Sequence, residues 1–310
     1  MTAAMWMTRQ SVRLALRDNT VILMVALFGA LVVMSAWLGW QATATVDRIY
    51  TDAAAFLIAS GQPAPANPVL DTSPLILLRN LSVYVTLLGA VCAIVMGNHL
   101  VAADRNAGVL PLIASRPLAK NSYALAKLAA LGGLIGAIVA VAAAIAALSL
   151  LALPAVQVTA GQWAQFAAFF GLSALYMLIF GLVSLTAAAA SASRAMALLI
   201  PVALWLTVCF IAPALTLNLT PTAVLNPISA MVPPPDAAFF RATNWLLSPL
   251  SITQAYTTTA AGLLDFRPAT FTDPGLIPAL PALILWLLGA LILALRALTA
   301  LPSTIGDYDA

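Results

Sequence analysis

The sequence predicts an all-α polytopic membrane protein with six transmembrane helices, an N-terminal interfacial helix and both termini in the cytoplasm. Three observations carry that expectation. Charged residues make up 7% of the chain, against about 25% in an ordinary soluble domain, and there is no glutamate. Hydrophobic residues make up 63%. Long intervals lack Asp, Lys and Arg altogether: 21–46, 80–103, 128–193, 195–235 and 274–295. About 20 apolar residues at 1.5 Å per residue cross the roughly 30 Å of hydrocarbon, so each interval suffices for at least one passage.

Residues 1–20 form the first predicted element. Arg9, Arg13 and Arg17 recur every four residues beside a face carrying Met5, Val12, Ala15 and Leu16. That pattern suits a short helix at the inner headgroup layer, in contact with the lipid bilayer. It equally suits a basic flank that only orients the first span. Ala42-Thr43-Ala44 resembles a signal-cleavage site, but the apolar run before it exceeds the 7–15 residues expected of a cleaved leader.

The first span is placed at 21–41. The connection from Thr43 to Arg79 reads as solvated because Gln62-Pro63-Ala64-Pro65-Ala66-Asn67-Pro68 cannot build a helix interior. The second span covers 81–103 and the third 127–152. Gly132 and Gly136 lie in the third at a spacing that allows close helix approach. The interval 128–193 is too long for one passage, and Pro154 with Gln157, Thr159, Gly161 and Gln162 divides it, giving a fourth span at 164–189. The fifth, 196–217, contains Pro201 and Pro213, which favour a kink. Residues 218–277 are semi-apolar around Ser248-Pro249, with Phe239, Phe240, Trp245 and Leu250. Such a segment lies at the outer interface or dips in as a protein-covered hairpin. The last span is 278–297.

Orientation follows from the cations, since Lys and Arg near span ends stay in the cytoplasm. Arg9, Arg13, Arg17, Arg105, Arg116, Lys120, Lys127, Arg194 and Arg296 fall on one side of this scheme. Arg48, Arg79, Arg241 and Arg267 fall on the other, among six aspartates. The excess basic charge reports topology, and no basic stripe with interleaved aromatics points to nucleic acid. Cys92 and Cys209 both fall within spans and imply no disulfide framework.

The most informative polar insertion is the cytoplasmic segment 104–126 and the residue that follows it. It brings Asp104, Arg105, Gly108, Arg116, Pro117, Lys120 and Lys127 between two apolar helices, and holds four of the thirteen basic residues. No glycine-rich phosphate loop ending in Gly-Lys-Ser/Thr exists, so any ATP must be bound by another polypeptide. His99 and Asp104 stand at the spacing of an acyltransferase base and its orienting acid. Cys92, Met96 and His99 occupy one helix face as three ligands for a soft cation. No charged pair sits within the predicted spans, which disfavours an ion-coupled carrier.

The same segment resembles the intracellular loop of ABC-2 type permeases, the six-span membrane subunits of ABC exporters. Asp104-Arg105 stands for an acidic residue and arginine, Gly108-Val109-Leu110 for Gly-Thr-Leu, and Leu112 through Ser115, Arg116 and Pro117 follows the pattern closely. Lys120 replaces an arginine, and Lys127 falls ten residues after the proline. The shorter acid at Asp104, Val109 and the long first outer loop depart from it. The resemblance implies a single permease domain over 1–310 in a bacterial inner membrane, catalytically inert and paired with a second permease copy. It implies two separate ATPase subunits that carry ATP and magnesium and dock on the loop after span two. A similar branch matures nitrous-oxide reductase outside the cytoplasm, which is the alternative within the family.

Overall fold

The computed structural model describes residues 3–64, 73–115, 121–152, 158–220, 237–266 and 276–306, all helix or short connection with no strand among them. Among the described residues, six helices are long and apolar enough to cross a membrane. We number the helices in chain order, beginning with the short amphipathic α1, Ala3–Ala15. Asp18 then starts α2, Asn19–Ala59, its carboxylate accepting from the amides of Thr20 at 2.8 Å and Val21 at 3.1 Å. Such a cap contributes about 1 kcal/mol.

Helix α2 corrects the expectation of a solvated connection beginning at Thr43. It has 41 residues, about 60 Å at 1.5 Å per residue, and so outruns the hydrocarbon thickness. Loss of hydropathy after Trp40 is no reason for a helix to stop, and no proline or glycine stands between Gln41 and Ala59. The stop comes at Gly61, whose φ of 77° lets its amide and that of Gln62 close back onto the carbonyls of Ile58 and Leu57.

Helix α3, Pro74–Asn106, is continuous but irregular. Within its π-turn at Val85–Gly89, the amide of Ala90 reaches back to the carbonyl of Val85 and leaves that of Thr86 free for side chains. The short α4, Leu110–Ala114, follows, and then α5, Ser122–Leu151. Thr159 and Gln162 form a reciprocal capping box that opens α6, Ala160–Ala190. The sequence reading took these residues only for a turn.

Helix α6 is the axis of the bundle, packed by α3 and α5 and, further along the chain, by Arg194–Leu217, Ile252–Leu263 and α10, Ala279–Gly306. Phe169, Tyr176, Met177 and Phe180 along it are wholly buried. The tightest crossing is with α3, where a Cβ built on Gly97 would come within 2.3 Å of the Gly181 carbonyl oxygen. Ser184 donates to the Ile94 carbonyl across this contact at 2.6 Å. Gly132 and Gly136, by contrast, have open space where a Cβ would stand, so the close approach expected there is not made within this chain. Glycine spacing alone does not say which face of a helix turns inward.

Helix α7, Arg194–Leu217, accommodates Pro201 and Pro213 without interruption, and a second π-turn at Thr207–Ile211 lies just before Pro213. Between α7 and the last helix, α8, Ala238–Leu247, and α9, Ile252–Leu263, are joined through Ser248–Leu250. Helix α9 is the covered arm, pressed on α6 and α10 with Tyr256 fully buried. The last helix, α10, is Ala279–Gly306.

Candidate functional site

Helix α3 ends where the sequence places its polar insertion, and the stop is glycine chemistry. Gly108 adopts φ 63°. Its amide bonds the Arg105 carbonyl at 3.1 Å and that of Val109 bonds the Asp104 carbonyl at 3.2 Å, closing the last turn and redirecting the chain into α4. An alanine here would have to adopt a backbone conformation that L residues rarely take.

One turn before that stop, Asp104 and Arg105 point to different partners. The Asp104 carboxylate lies 2.7 Å from the Lys127 ammonium on α5 and accepts the Tyr123 hydroxyl at 3.0 Å. Lys127 also donates to Ser11 on α1 at 2.9 Å, so one cation ties three helices together. Thr8, one turn earlier on α1, adds a bond to the Ala126 carbonyl at 3.3 Å. Arg105 instead donates to the carbonyls of Ala189 at 2.9 Å and Ser191 at the end of α6. This arginine supplies what a C-terminal glycine would otherwise provide to those unpaired carbonyls.

These positions correct one feature of the sequence reading. Lys127 was grouped with the cations presented to a partner, but it is 3% exposed and cannot belong to a surface. A lysine at the start of an apolar span faces outward or inward according to helix phase, and Asp104 supplies the inward partner that makes burial tolerable. Arg105 is likewise occupied with α6. Sequence reasoning did not single out Ser11 or Tyr123. Ser11 lies on the opposite side of α1 from the arginines, and a hydroxyl there was the available signal.

What remains open at this end is α4. Leu112 is 65% exposed, and Pro111 is exposed beside it. Helix α4 packs against α10, and a cleft of about 620 Å³ lies between the two and the Ser191 turn, lined by Arg105, Pro111, Ala190, Ala297 and Leu301. Arg116, Pro117 and Lys120 lie outside the described residues. Arg9 and Arg13 are exposed on α1, and Arg17 is exposed in the turn that follows it.

The two rival chemistries find no assembled site. His99 turns Nδ1 toward Asp18 at 3.5 Å, while Asp104 is held by Lys127 and Tyr123. Five residues along a helix place two side chains about 140° apart, so the base and acid do not meet. Asp18 thereby caps α2 and faces the His99 imidazole at once. Its carboxyl is pushed up by partial burial, but the Val21 amide, His99 and Thr20 outweigh this and hold it below the ordinary aspartate range. Cys92 and Met96 are packed in the core, and no cluster of three His, Cys, Asp or Glu side chains exists among the described residues.

A second polar junction occupies the other half of the bundle. The Thr86 carbonyl freed by the π-turn accepts from the Tyr176 hydroxyl at 3.1 Å and the Trp205 indole at 3.2 Å. Thr253 of α9 lies 3.0 Å from the Tyr176 oxygen and 3.2 Å from the Cys209 sulfur. Four helices, α3, α6, α7 and α9, meet there without a formal charge.

Against known proteins, the family model described as "ABC-2 family transporter protein" matches residues 5–301. No curated protein matches the chain.

Proposed function

The chain belongs to the ABC-2 family of transporter proteins, and from that premise we propose that it is the membrane subunit of an ATP-driven exporter whose motor is a separate pair of ATPase chains. Its family and its six apolar helices make it a multi-pass transport subunit. In the proposed assembly two permease copies span a bacterial inner membrane with their termini in the cytoplasm. ATP and magnesium reside on the partners.

The observation that carries the reading is α4. A five-residue helix, set off by the turn at Gly108, presents Leu112 and Pro111 at the bundle end where the excess of cations gathers. An exposed apolar side chain with basic residues just beyond it suits a groove on an acidic partner surface. Movement of such a partner would reach the bundle by two routes. Asp104 and Lys127 link α3 to α5 and α1, and Arg105 links α3 to the end of α6. The pivot lies at Gly108, and the rigid links lie immediately before it.

The test is co-purification with a co-expressed ABC ATPase chain that the wild-type permease retains. Leu112→Asp, and separately Arg116→Glu with Lys120→Glu, should each lower recovery of the ATPase at least about tenfold, the effect of losing roughly 1.4 kcal/mol. Leu112 is on the surface, so the permease itself should still insert and purify. Undiminished recovery with both variants removes the docking assignment.

A further inference from the structure

Helix α1 has two faces, and only one is accounted for by the bundle. Thr8, Ser11, Val12 and Ala15 turn toward the protein, with Ser11 and Ala15 buried. The other face carries Arg9 and Arg13, Arg17 follows in the turn just past the helix end, and α1 contains no acidic residue. Asp18, the nearest carboxylate in sequence, spends its oxygens on two amides and His99.

Beside exposed Gln10, large apolar side chains flank the arginines: Met5, Trp6, Leu14 and Leu16 are all more than 40% exposed. Only 16–18 separate this helix from α2, whose apolar run begins at Val21. Helix α1 is therefore held at the level where α2 leaves the hydrocarbon, among headgroups. Cations there with apolar neighbours directed toward the acyl chains match an anionic phospholipid surface, where each basic residue favours the anionic lipid about fivefold. A guanidinium adds paired bonds to phosphate oxygens.

We propose that the Arg9 and Arg13 face of α1, with Arg17 in the turn that follows it, is a contact site for anionic phospholipid headgroups, and that its occupancy is transmitted through Ser11 and Lys127 to the Asp104 end of α3. The transmission follows from a shared cation. Lys127 is buried and bonded at once to Ser11 and Asp104, so α1 cannot shift on the bundle without disturbing the residue whose carbonyl closes the turn before α4. The site draws on membrane insertion alone and stands whether or not a motor docks at α4.

The experiment uses the full chain in nanodiscs of phosphatidylcholine with a minor fraction of phosphatidylglycerol, one or the other brominated in its acyl chains. The Trp6 signal is taken as wild type minus Trp6→Phe. Brominated phosphatidylglycerol should quench it several-fold more per molecule than brominated phosphatidylcholine. Combined Arg9→Gln, Arg13→Gln and Arg17→Gln should abolish the preference, and the corresponding lysine substitutions should retain it. Equal quenching by the two lipids overturns the contact, as does a preference unchanged by the glutamine variant. Loss of the preference on adding inorganic phosphate at constant ionic strength would instead identify a soluble-anion site and also overturn it.

Hydrogen exchange at the amides of Gly108 and Val109 reads the second half. Phosphatidylglycerol should slow it several-fold in the wild type, and Ser11→Ala, which leaves every arginine in place, should remove that difference. A difference that survives Ser11→Ala overturns the transmission.

Discussion

Two polar junctions hold this bundle together, and they are built from opposite chemistry. At the α4 end, Asp104 and Lys127 form a buried ion pair supported by Tyr123 and Ser11. In the other half, Tyr176, Trp205, Thr253 and Cys209 gather around one backbone carbonyl with no formal charge. The neutral junction is inexpensive to bury, because each hydroxyl that leaves water finds a partner, and its acceptor is supplied by distorting α3 into a π-turn. The charged junction is costly to form and more costly to break, since removal of one member leaves the other ionised without compensation. The difference divides labour along the molecule: the neutral junction fixes where α9 sits, and the charged one fixes α1, α3 and α5 next to the helix proposed to meet a motor.

The largest effect that separates them comes from unpairing the lysine. Asp104→Ala should destabilise the purified chain by about 3–5 kcal/mol, read as a fall in thermal unfolding midpoint in detergent. Asp104→Asn combined with Lys127→Met should recover most of that loss. If the double variant were as unstable as the single, Lys127 would not be buried as a cation, and the contrast between the junctions would fail.

The neutral junction should yield less. Thr253→Val keeps the volume and removes one hydroxyl, but Tyr176 retains the Thr86 carbonyl, so the expected loss is about 1–2 kcal/mol by the same measurement. A loss comparable to that of Asp104→Ala would mean that α9 depends on this contact far more than its single hydroxyl allows.

The fold was legible because its strongest signal is compositional: long intervals without charge admit little besides membrane helices, and six were found. Boundaries were less legible where no residue imposes them. Helix α2 continues through Asp47, Arg48 and Asp52 because polarity does not terminate a helix, whereas Gly61 and Gly108 do. At the site, the sequence placed Asp104, Arg105 and Gly108 at a functional break but could not phase α5, so Lys127 was taken for a surface cation. The neutral junction was invisible for a different reason. Its acceptor is a backbone carbonyl released by a π-turn, and its donors are spread over residues 176–253, with no local motif to announce them.

The smallest effect sharpens the comparison through pH. Asp18 belongs to the charged half of the molecule, capping α2 and facing His99 from α3. Its folded carboxyl sits below the ordinary aspartate range, so the folded state favours the ionised form more than the unfolded chain does. The stabilisation it provides is therefore complete above that range and is lost as pH falls through it toward the depressed folded value. Asp18→Asn keeps a capping oxygen without the titrating proton, while Asp18→Ala should cost about 1 kcal/mol at neutral pH. Unfolding midpoints measured on acidification should then fall less steeply in Asp18→Asn than in the wild type. Thr253→Val, which removes a group that carries no charge in acid, should leave the wild-type slope unchanged. A slope reduced by Thr253→Val would mean that acid sensitivity is not confined to the charged half, and one untouched by Asp18→Asn would mean that Asp18 does not carry it.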